Sequence, residues 1–236
     1  MNNFIKSHGL GNDYVVIDKK KFSLKLNKSL IKKICDRNFG IGSDGLLLLV
    51  SSRKADFGLR IFNPDGSEAE KSGNGLRIFA KFLFDSKYTK KRIFTVETKG
   101  GLVKCEIIKS GKKSSLVKVE MGQANFESKQ IPVVSDMKYA ISERIKIKKK
   151  EFICTSVTVG NPHCVIFKKT ISPKDAVEYG SLIERNKRFP NKTNVQFAQI
   201  LSRKKVKIEI WERGAGYTLA SGSSSCAVVS VGYKLG

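Results

Sequence analysis

Short alternating runs of β-branched and aromatic side chains occupy residues 14–17, 46–50, 57–62, 93–97 and 102–108, and again 115–121, 156–159, 165–167, 195–200 and 206–211. Runs of that length and period predict strands. Apolar positions recur at three- and four-residue spacing over 28–36, 75–86, 175–184 and 223–233, which predicts four helices. Many strands with few helices place the chain in the α+β class.

The pattern also repeats. Gly11-Asn12-Asp13-Tyr14-Val15-Val16-Ile17 is matched by Gly160-Asn161-Pro162-His163-Cys164-Val165-Ile166, 149 residues further on. At that same distance Ser72-Gly73-Asn74 meets Ser221-Gly222-Ser223, 57–62 meets 206–211, and 45–48 meets 194–197. Matches in register without a gap predict two halves of one topology. Each half has a strand after a Gly-Asn turn, a helix, a strand, then a strand leading through a Gly-rich loop into a helix. Two α/β lobes are expected, 1–122 and 123–236, with the boundary in 123–132. Duplicated lobes tend to set equivalent loops face to face. The expectation is a pseudo-twofold cleft, suited to a reaction that treats both faces of one carbon alike.

Composition narrows the setting. With 40% hydrophobic and 28% charged residues, the chain reads as an ordinary soluble fold. No run approaches the roughly 18 apolar residues that span a bilayer, so no membrane partner is expected. The first residues lack a basic region, an apolar stretch and a cleavage site, so the cytoplasm is the expected compartment. Five cysteines, odd in number and never spaced CxxC, argue against a disulfide framework or a zinc site. Two histidines and no carboxylate cluster leave no metal site to expect.

The net charge of +24 is spread over short pieces such as 19–21, 90–92, 145–150 and 203–207. Beside many asparagines and isoleucines, such lysines fit solvated faces encoded by an A+T-rich genome better than a basic binding stripe. No nucleic-acid-binding motif accompanies them, so a nucleic-acid partner is not expected.

The chemistry concentrates in two loops. Residues 63–77 (NPDGSEAEKSGNGLR) end a strand, turn, and open a helix at Ser-Gly-Asn-Gly; residues 211–225 (WERGAGYTLASGSSS) do the same and add Glu212 and Arg213. The first N–H groups of a helix have no partner in the helix, and its dipole is positive there, so each opening is an anion site. Two such openings with Arg213 would hold a carboxylate. Asn12, Asn63, Asn161 and Asn194 add amides suited to a zwitterionic amino acid. Taken singly, Ser-Gly-Asn-Gly and Ser-Gly-Ser-Ser are no more than helix caps. Their pairing at one offset, beside Glu-Arg-Gly-Ala-Gly, favours the binding reading.

The ordered segments FIKSHGLGNDYVVID, FGIGSDGLLLL, IFNPDGSEAEKSGNGLR, VTVGNPHCV, Asn194-Val195 and WERGAGYTLASGSSSCA resemble the successive signatures of the diaminopimelate epimerase family, from the first residues to the last. The resemblance implies two α/β lobes facing each other across a cleft that holds the active site. It implies interconversion of LL- and meso-2,6-diaminopimelate without cofactor or metal, in lysine and cell-wall precursor synthesis. The partner so implied is a small amino-acid substrate; a homodimer is left open. By position, Asn12, Asn63, Asn161, Asn194, Glu212 and Arg213 correspond to substrate ligands. Gly73-Asn74 and Gly222-Ser223 correspond to the amides that receive the carboxylate, and His163 and Glu212 to residues flanking the acid/base pair.

Two departures stand out. The family carries cysteines on opposite sides of the α-carbon where this chain has Ser72 and Ser221. A thiol near pKa 8.5, lowered at a helix N-terminus, can work as acid or base at about neutral pH. A serine hydroxyl is a far weaker acid, so severely impaired turnover is expected. Either a diverged member has lost or changed its activity, or a deliberately inert variant was made to hold substrate. The family also continues past the second Gly-rich helix, whereas this sequence ends at Gly236. Either part of the sheet covering is absent or the sequence is truncated. Rival readings are a racemase for another small amino acid such as histidine, suggested by Gly45 and Ser223 at variable-looking cleft positions, and a non-catalytic homologue that binds a ligand or anion.

Overall fold

The computed structural model describes residues 3–111 and 115–236. They form two compact units, Met1–Met121 and Gly122–Gly236. The first contains strands β1 (Phe4–Gly9), β2 (Asn12–Asp18), β3 (Leu46–Val50), β4 (Phe57–Phe62), β5 (Glu68–Ala69), β6 (Ile93–Thr98), β7 (Gly101–Lys109) and β8 (Leu116–Val119), with helices α1 (Lys28–Cys35) and α2 (Gly73–Asp85). The second contains β9 (Glu143–Ile147), β10 (Lys150–Thr158), β11 (Pro162–Phe167), β12 (Asn194–Ser202), β13 (Lys205–Glu212) and β14 (Gly216–Thr218), with α3 (Pro173–Glu184) and α4 (Gly222–Leu235). The α+β class read from the sequence holds.

In the first unit one mixed sheet runs β1-β2-β3-β4-β6-β7-β8, with β5 on β4. Strand β2 is buried on both faces because a helix covers each. Val15 and Ile17 join Leu46, Leu48 and Phe62 beneath α1. Tyr14 and Val16 join Leu47, Leu49 and Ile61 against Leu76, Phe79 and Leu83 of α2. Double covering explains why these strands read as continuous apolar runs. The second unit's sheet runs β14-β13-β12-β11-β10-β9. Cys164, Ile166, Val195 and Phe197 pack with Ala176, Tyr179 and Ile183 of α3, and Val157, Val165 and Ala198 pack with Ala227, Val228 and Val231 of α4.

The duplication is structural. The parallel pair Val15↔Leu46 has its counterpart in Cys164↔Val195. Leu46↔Phe62 corresponds to Val195↔Trp211, and Ile61↔Ala69 to Ile210↔Thr218. The hairpins leading into these strands differ. Gly9↔Asn12 closes a two-residue turn with Leu10 at φ 56° and Gly11 at φ 90°, the left-handed pair that a tight hairpin requires. Thr158↔Pro162 closes a loop one residue longer.

The halves also differ in their coverings. In the first unit β6 runs parallel beside Phe57 and Gly58 of β4, and β6–β8 close over α2. Ala80 on α2 is 0% exposed, whereas its counterpart Val229 on α4 is 64% exposed; Tyr233, the counterpart of half-buried Phe84, is 91% exposed. The second unit extends instead at its far edge, where β9 pairs with β10.

Several strands escape the alternation reading. Strand β1 is mostly exposed and polar (FIKSHG), and is held by its ladder to β2 rather than by burial. The β9–β10 hairpin passes through a lysine-rich turn with Lys148 at φ 55°. Two-residue β5 and three-residue β14 are too short to show a period. Helices α2 and α4 begin earlier than their apolar pattern, because Ser-Gly-Asn and Ser-Gly-Ser are themselves cap and first turn.

Candidate functional site

Ser72 caps α2 from an extended backbone (φ −138°, ψ 118°), and its Oγ accepts from Gly75 N at 3.0 Å. The same Oγ lies 3.1 Å from the Tyr14 hydroxyl. Gly73 and Asn74 form the buried first turn, and no acidic side chain sits there to oppose an anion. Asn74 Nδ2 donates to Asn12 Oδ1 at 3.0 Å, and Asn12 Nδ2 donates to Asp44 Oδ2 at 2.9 Å. Asp44 is anchored by Arg37, which also pairs with Asp13. Both guanidinium contacts push the Arg37 pKa up, and Asp13 is held low by Arg37, Lys6 and the Asp44 backbone against the opposing effect of burial. Asn63 follows β4 and donates to Ser67 Oγ at 3.0 Å. The described hydrogen bonds thus join Ser72 to Tyr14 and Asn74 to Asn12, with Asn63 in a separate turn.

The second unit repeats the frame with other side chains. Ser221 (φ −146°, ψ 122°) caps α4 and accepts from Ser224 N at 3.3 Å; its Oγ lies 3.4 Å from Ser223 Oγ. Gly222 and Ser223 are the first turn, again without an acidic residue. Asn161 Nδ2 donates to Ser223 Oγ at 3.5 Å, and Asn161 Oδ1 lies 2.9 Å from His163 Nε2. The other imidazole nitrogen lies 3.1 Å from Gln196 Nε2, which also donates to Ser224 Oγ at 3.0 Å. His163 is 0% exposed, and burial pushes its pKa down to about 3. It is therefore neutral. Nε2–H donates to Asn161, and Nδ1 accepts from Gln196.

Asn194 donates to Pro162 O at 2.8 Å and accepts from Arg213 N at 3.0 Å, which fixes the loop after β13. Glu184 fixes that loop from the other side, accepting from Trp211 Nε1 at 2.8 Å and from Gly214 N at 3.1 Å. Glu212 and Arg213 are half-buried at the end of β13. The Arg213 guanidinium donates to Asn191 O at 3.2 Å.

Sequence reasoning missed Tyr14, Asp44, Glu184 and Gln196 as parts of these networks. One signal was available: Gln196 is an uncharged polar residue, 0% exposed, inside the apolar run of β12. Gly45 packs tightly within the first unit. A Cβ there would meet Phe62 O at 2.6 Å and the Tyr14 ring at 2.7 Å, so the glycine is what seats the tyrosine.

None of the cysteines takes the place of a thiol at 72 or 221. Cys105 is buried beneath α2, its pKa pushed up to about 12. Burial raises Cys35 as well. Cys154 and Cys164 lie in the core between β10, β11 and α3. Cys226 sits within α4, past the first turn that Ser221 caps. Among the described residues no group of three His, Cys, Asp or Glu side chains could hold a metal ion. No helix among them is long and apolar enough to cross a membrane.

Comparison with known proteins adds to this geometry. A family model described as diaminopimelate epimerase matches residues 4–127 and 155–236. Diaminopimelate epimerase 2 of Nostoc sp. is 52% identical over 234 residues, covering 99% of this chain and 81% of the relative. Diaminopimelate epimerase of Carboxydothermus hydrogenoformans is 45% identical over 236 residues, covering 99% and 84%. Among solved structures, a probable proline racemase from Agrobacterium radiobacter superposes with a TM-score of 0.76 at 14% identity, covering 100% of this chain and 78% of that one. A hydroxyproline epimerase from Agrobacterium vitis superposes with 0.72 at 15% identity, covering 98% and 76%. Identities so low speak to the fold alone.

Proposed function

This chain belongs to the diaminopimelate epimerase family, and we propose that it binds 2,6-diaminopimelate in the manner of an epimerase while turning it over very poorly. Residues 1–122 and 123–236 are taken as the two lobes that serve one substrate. The observation that carries the reading is the pair of Ser-capped helix openings, built twice at one offset in the chain, with each hydroxyl drawn into the first turn.

The reacting carboxylate would rest on the amides of Gly73-Asn74 and Gly222-Ser223, where the N–H groups of a helix's first turn and the helix dipoles stabilise negative charge. Removing the α-proton moves an electron pair onto that carboxylate, so amides aimed there stabilise the developing charge most as the proton leaves. Asn12, Asn63, Asn161, Asn194, Glu212 and Arg213 would hold the remaining polar groups. His163 and Glu212 would flank the acid/base pair, the former as a neutral imidazole held by Asn161 and Gln196.

Epimerisation needs a base at one face of the α-carbon and an acid at the other: one takes the proton and the other returns one. In this scheme the groups are Ser72 and Ser221. A helix N-terminus brings a thiol from about pKa 8.5 into the working range, but a hydroxyl starts far above it and remains protonated near neutral pH. The amides and amide side chains are unaffected by the change. Binding is kept and proton transfer is lost.

Calorimetry with LL-diaminopimelate tests the first half: heat of binding is expected, and none at millimolar ligand contradicts the reading. Exchange of the α-hydrogen in deuterium oxide tests the second. Little exchange is expected from this chain, and a gain of at least 100-fold, the scale of general acid–base catalysis, from the Ser72→Cys/Ser221→Cys double variant. Binding of another amino acid in preference to diaminopimelate would transfer the reading to a racemase of that substrate.

A further inference from the structure

The two halves place different residues at the same point of their frames. Tyr14 lies at the position that His163 occupies 149 residues later. So do Leu47 and Gln196, Gly75 and Ser224, Gly45 and Asn194. In the second unit the polar set is linked by hydrogen bonds: His163 bonds Asn161 and Gln196, and Gln196 Nε2 bonds Ser224, while Gln196 Oε1 has no partner among the described residues. The imidazole is spent on Asn161 and Gln196.

In the first unit Asn12 answers to Asn161, but the glutamine and the serine are replaced. Leu47 replaces the glutamine, and a Cβ on Gly75 would come within 3.0 Å of Leu47 and 3.2 Å of Ser72 Oγ. Nothing polar on β3 competes for the aromatic side chain at position 14. Gly45 leaves the ring its space, and the ring carries its hydroxyl to 3.1 Å from Ser72 Oγ.

We infer that Tyr14 is a positioning residue for the side chain at position 72, holding it with the phenol hydroxyl while Gly75 N–H holds it from the helix. The importance of this contact for the reaction rests on reading position 72 as one of the acid/base pair. The contact itself does not.

A hydroxyl or thiol at 72 can donate its own hydrogen to the Tyr14 oxygen. An anion there has none to donate, so Tyr14 must turn its O–H toward it. The anionic form then receives two hydrogen bonds, from Gly75 N and from Tyr14. Hydrogen bonds to a charged group favour the charged form. At position 221 the neighbouring hydroxyl is Ser223, at 3.4 Å, on the same turn and already an acceptor from Asn161. The structure therefore assigns unequal support to the two positions, with a phenol at one and a short-chain hydroxyl at the other.

The test puts a titratable probe at the site. In the Ser72→Cys variant, the thiol pKa is read from the pH dependence of alkylation, followed by mass spectrometry of the peptide bearing residue 72, which separates it from the five native cysteines. Adding Tyr14→Phe keeps the ring and removes only the hydroxyl. The pKa at residue 72 is expected to rise by about one unit, as loss of one hydrogen bond to an anion requires. An unchanged or lowered value overturns the inference. Should the phenylalanine variant fold poorly, Gly45→Ala serves instead: it displaces the ring with the hydroxyl intact and should raise the pKa in the same sense, and no rise would likewise overturn the inference. Titration of the unaltered protein with LL-diaminopimelate separates the two readings. A thiol that ignores Tyr14 while ligand binds sinks the positioning role alone; a thiol that responds while no ligand binds sinks the functional reading alone.

Discussion

His163 shows how one side chain is fixed by what surrounds it. The ring is fully buried, and both nitrogens are taken by uncharged groups. Burial outweighs the hydrogen bond to Gln196, the positive charge of Arg213 acts with burial, and the pKa falls from 6.5 to about 3. The unfolded chain takes up this proton near pH 6.5, while the folded protein refuses it until about 3. Between those values the unfolded state binds more protons, so the stability His163 contributes is complete above pH 6.5 and is lost progressively as the pH falls toward 3. Melting of the unaltered protein and of His163→Gln from pH 7 to pH 4 should show a shallower decline in the variant. Parallel curves would mean that the imidazole is not held neutral.

At the scale of an element, the two Gly-rich loops are helix starts before they are anything else. Ser72 and Ser221 each satisfy an N–H of the first turn that would otherwise lack a partner. Ser72→Ala and Ser221→Ala should each cost about 1 kcal/mol in denaturant unfolding, apart from any effect on ligand. An unchanged midpoint in both would show that the hydroxyls do not cap. The second loop has further support. Glu184 on α3 is 4% exposed and accepts from both Trp211 and Gly214, so a helix with no part in the proposed chemistry sets the shape of the loop that carries Glu212 and Arg213.

For the whole molecule, duplication with unequal covering makes equivalent positions respond differently. Leu83 on α2 is 0% exposed beneath β6–β8, and its truncation to Ala should cost about 2–5 kcal/mol. Tyr233 on α4 is 91% exposed, and Tyr233→Ala should change stability by no more than about 0.5 kcal/mol. Urea denaturation of the two variants checks this, and comparable losses would mean that α4 is covered as α2 is.

Much of this was legible in the chain itself. Apolar runs and alternation located the central strands, because a strand covered on both faces must be apolar throughout and one covered on a single face must alternate. The constant offset revealed the duplication, because two halves with the same helix starts and strand order keep the glycines and caps those features need. Polar β1 was not legible, since ladder hydrogen bonds to a neighbour hold it without burial. In the β9–β10 hairpin Ile145, Ile147, Phe152 and Cys154 do alternate and are buried, but the lysines at the exposed positions between them mask the period. Nor could sequence show that Tyr14 meets Ser72 while His163 turns to Gln196. Those contacts join residues 58 and 33 positions apart, and they depend on whether the neighbouring strand offers leucine or glutamine. Local pattern determined which elements form. Only their packing decided which side chains meet, because a hydrogen bond is set by the few ångströms between groups that the chain brings together from far apart.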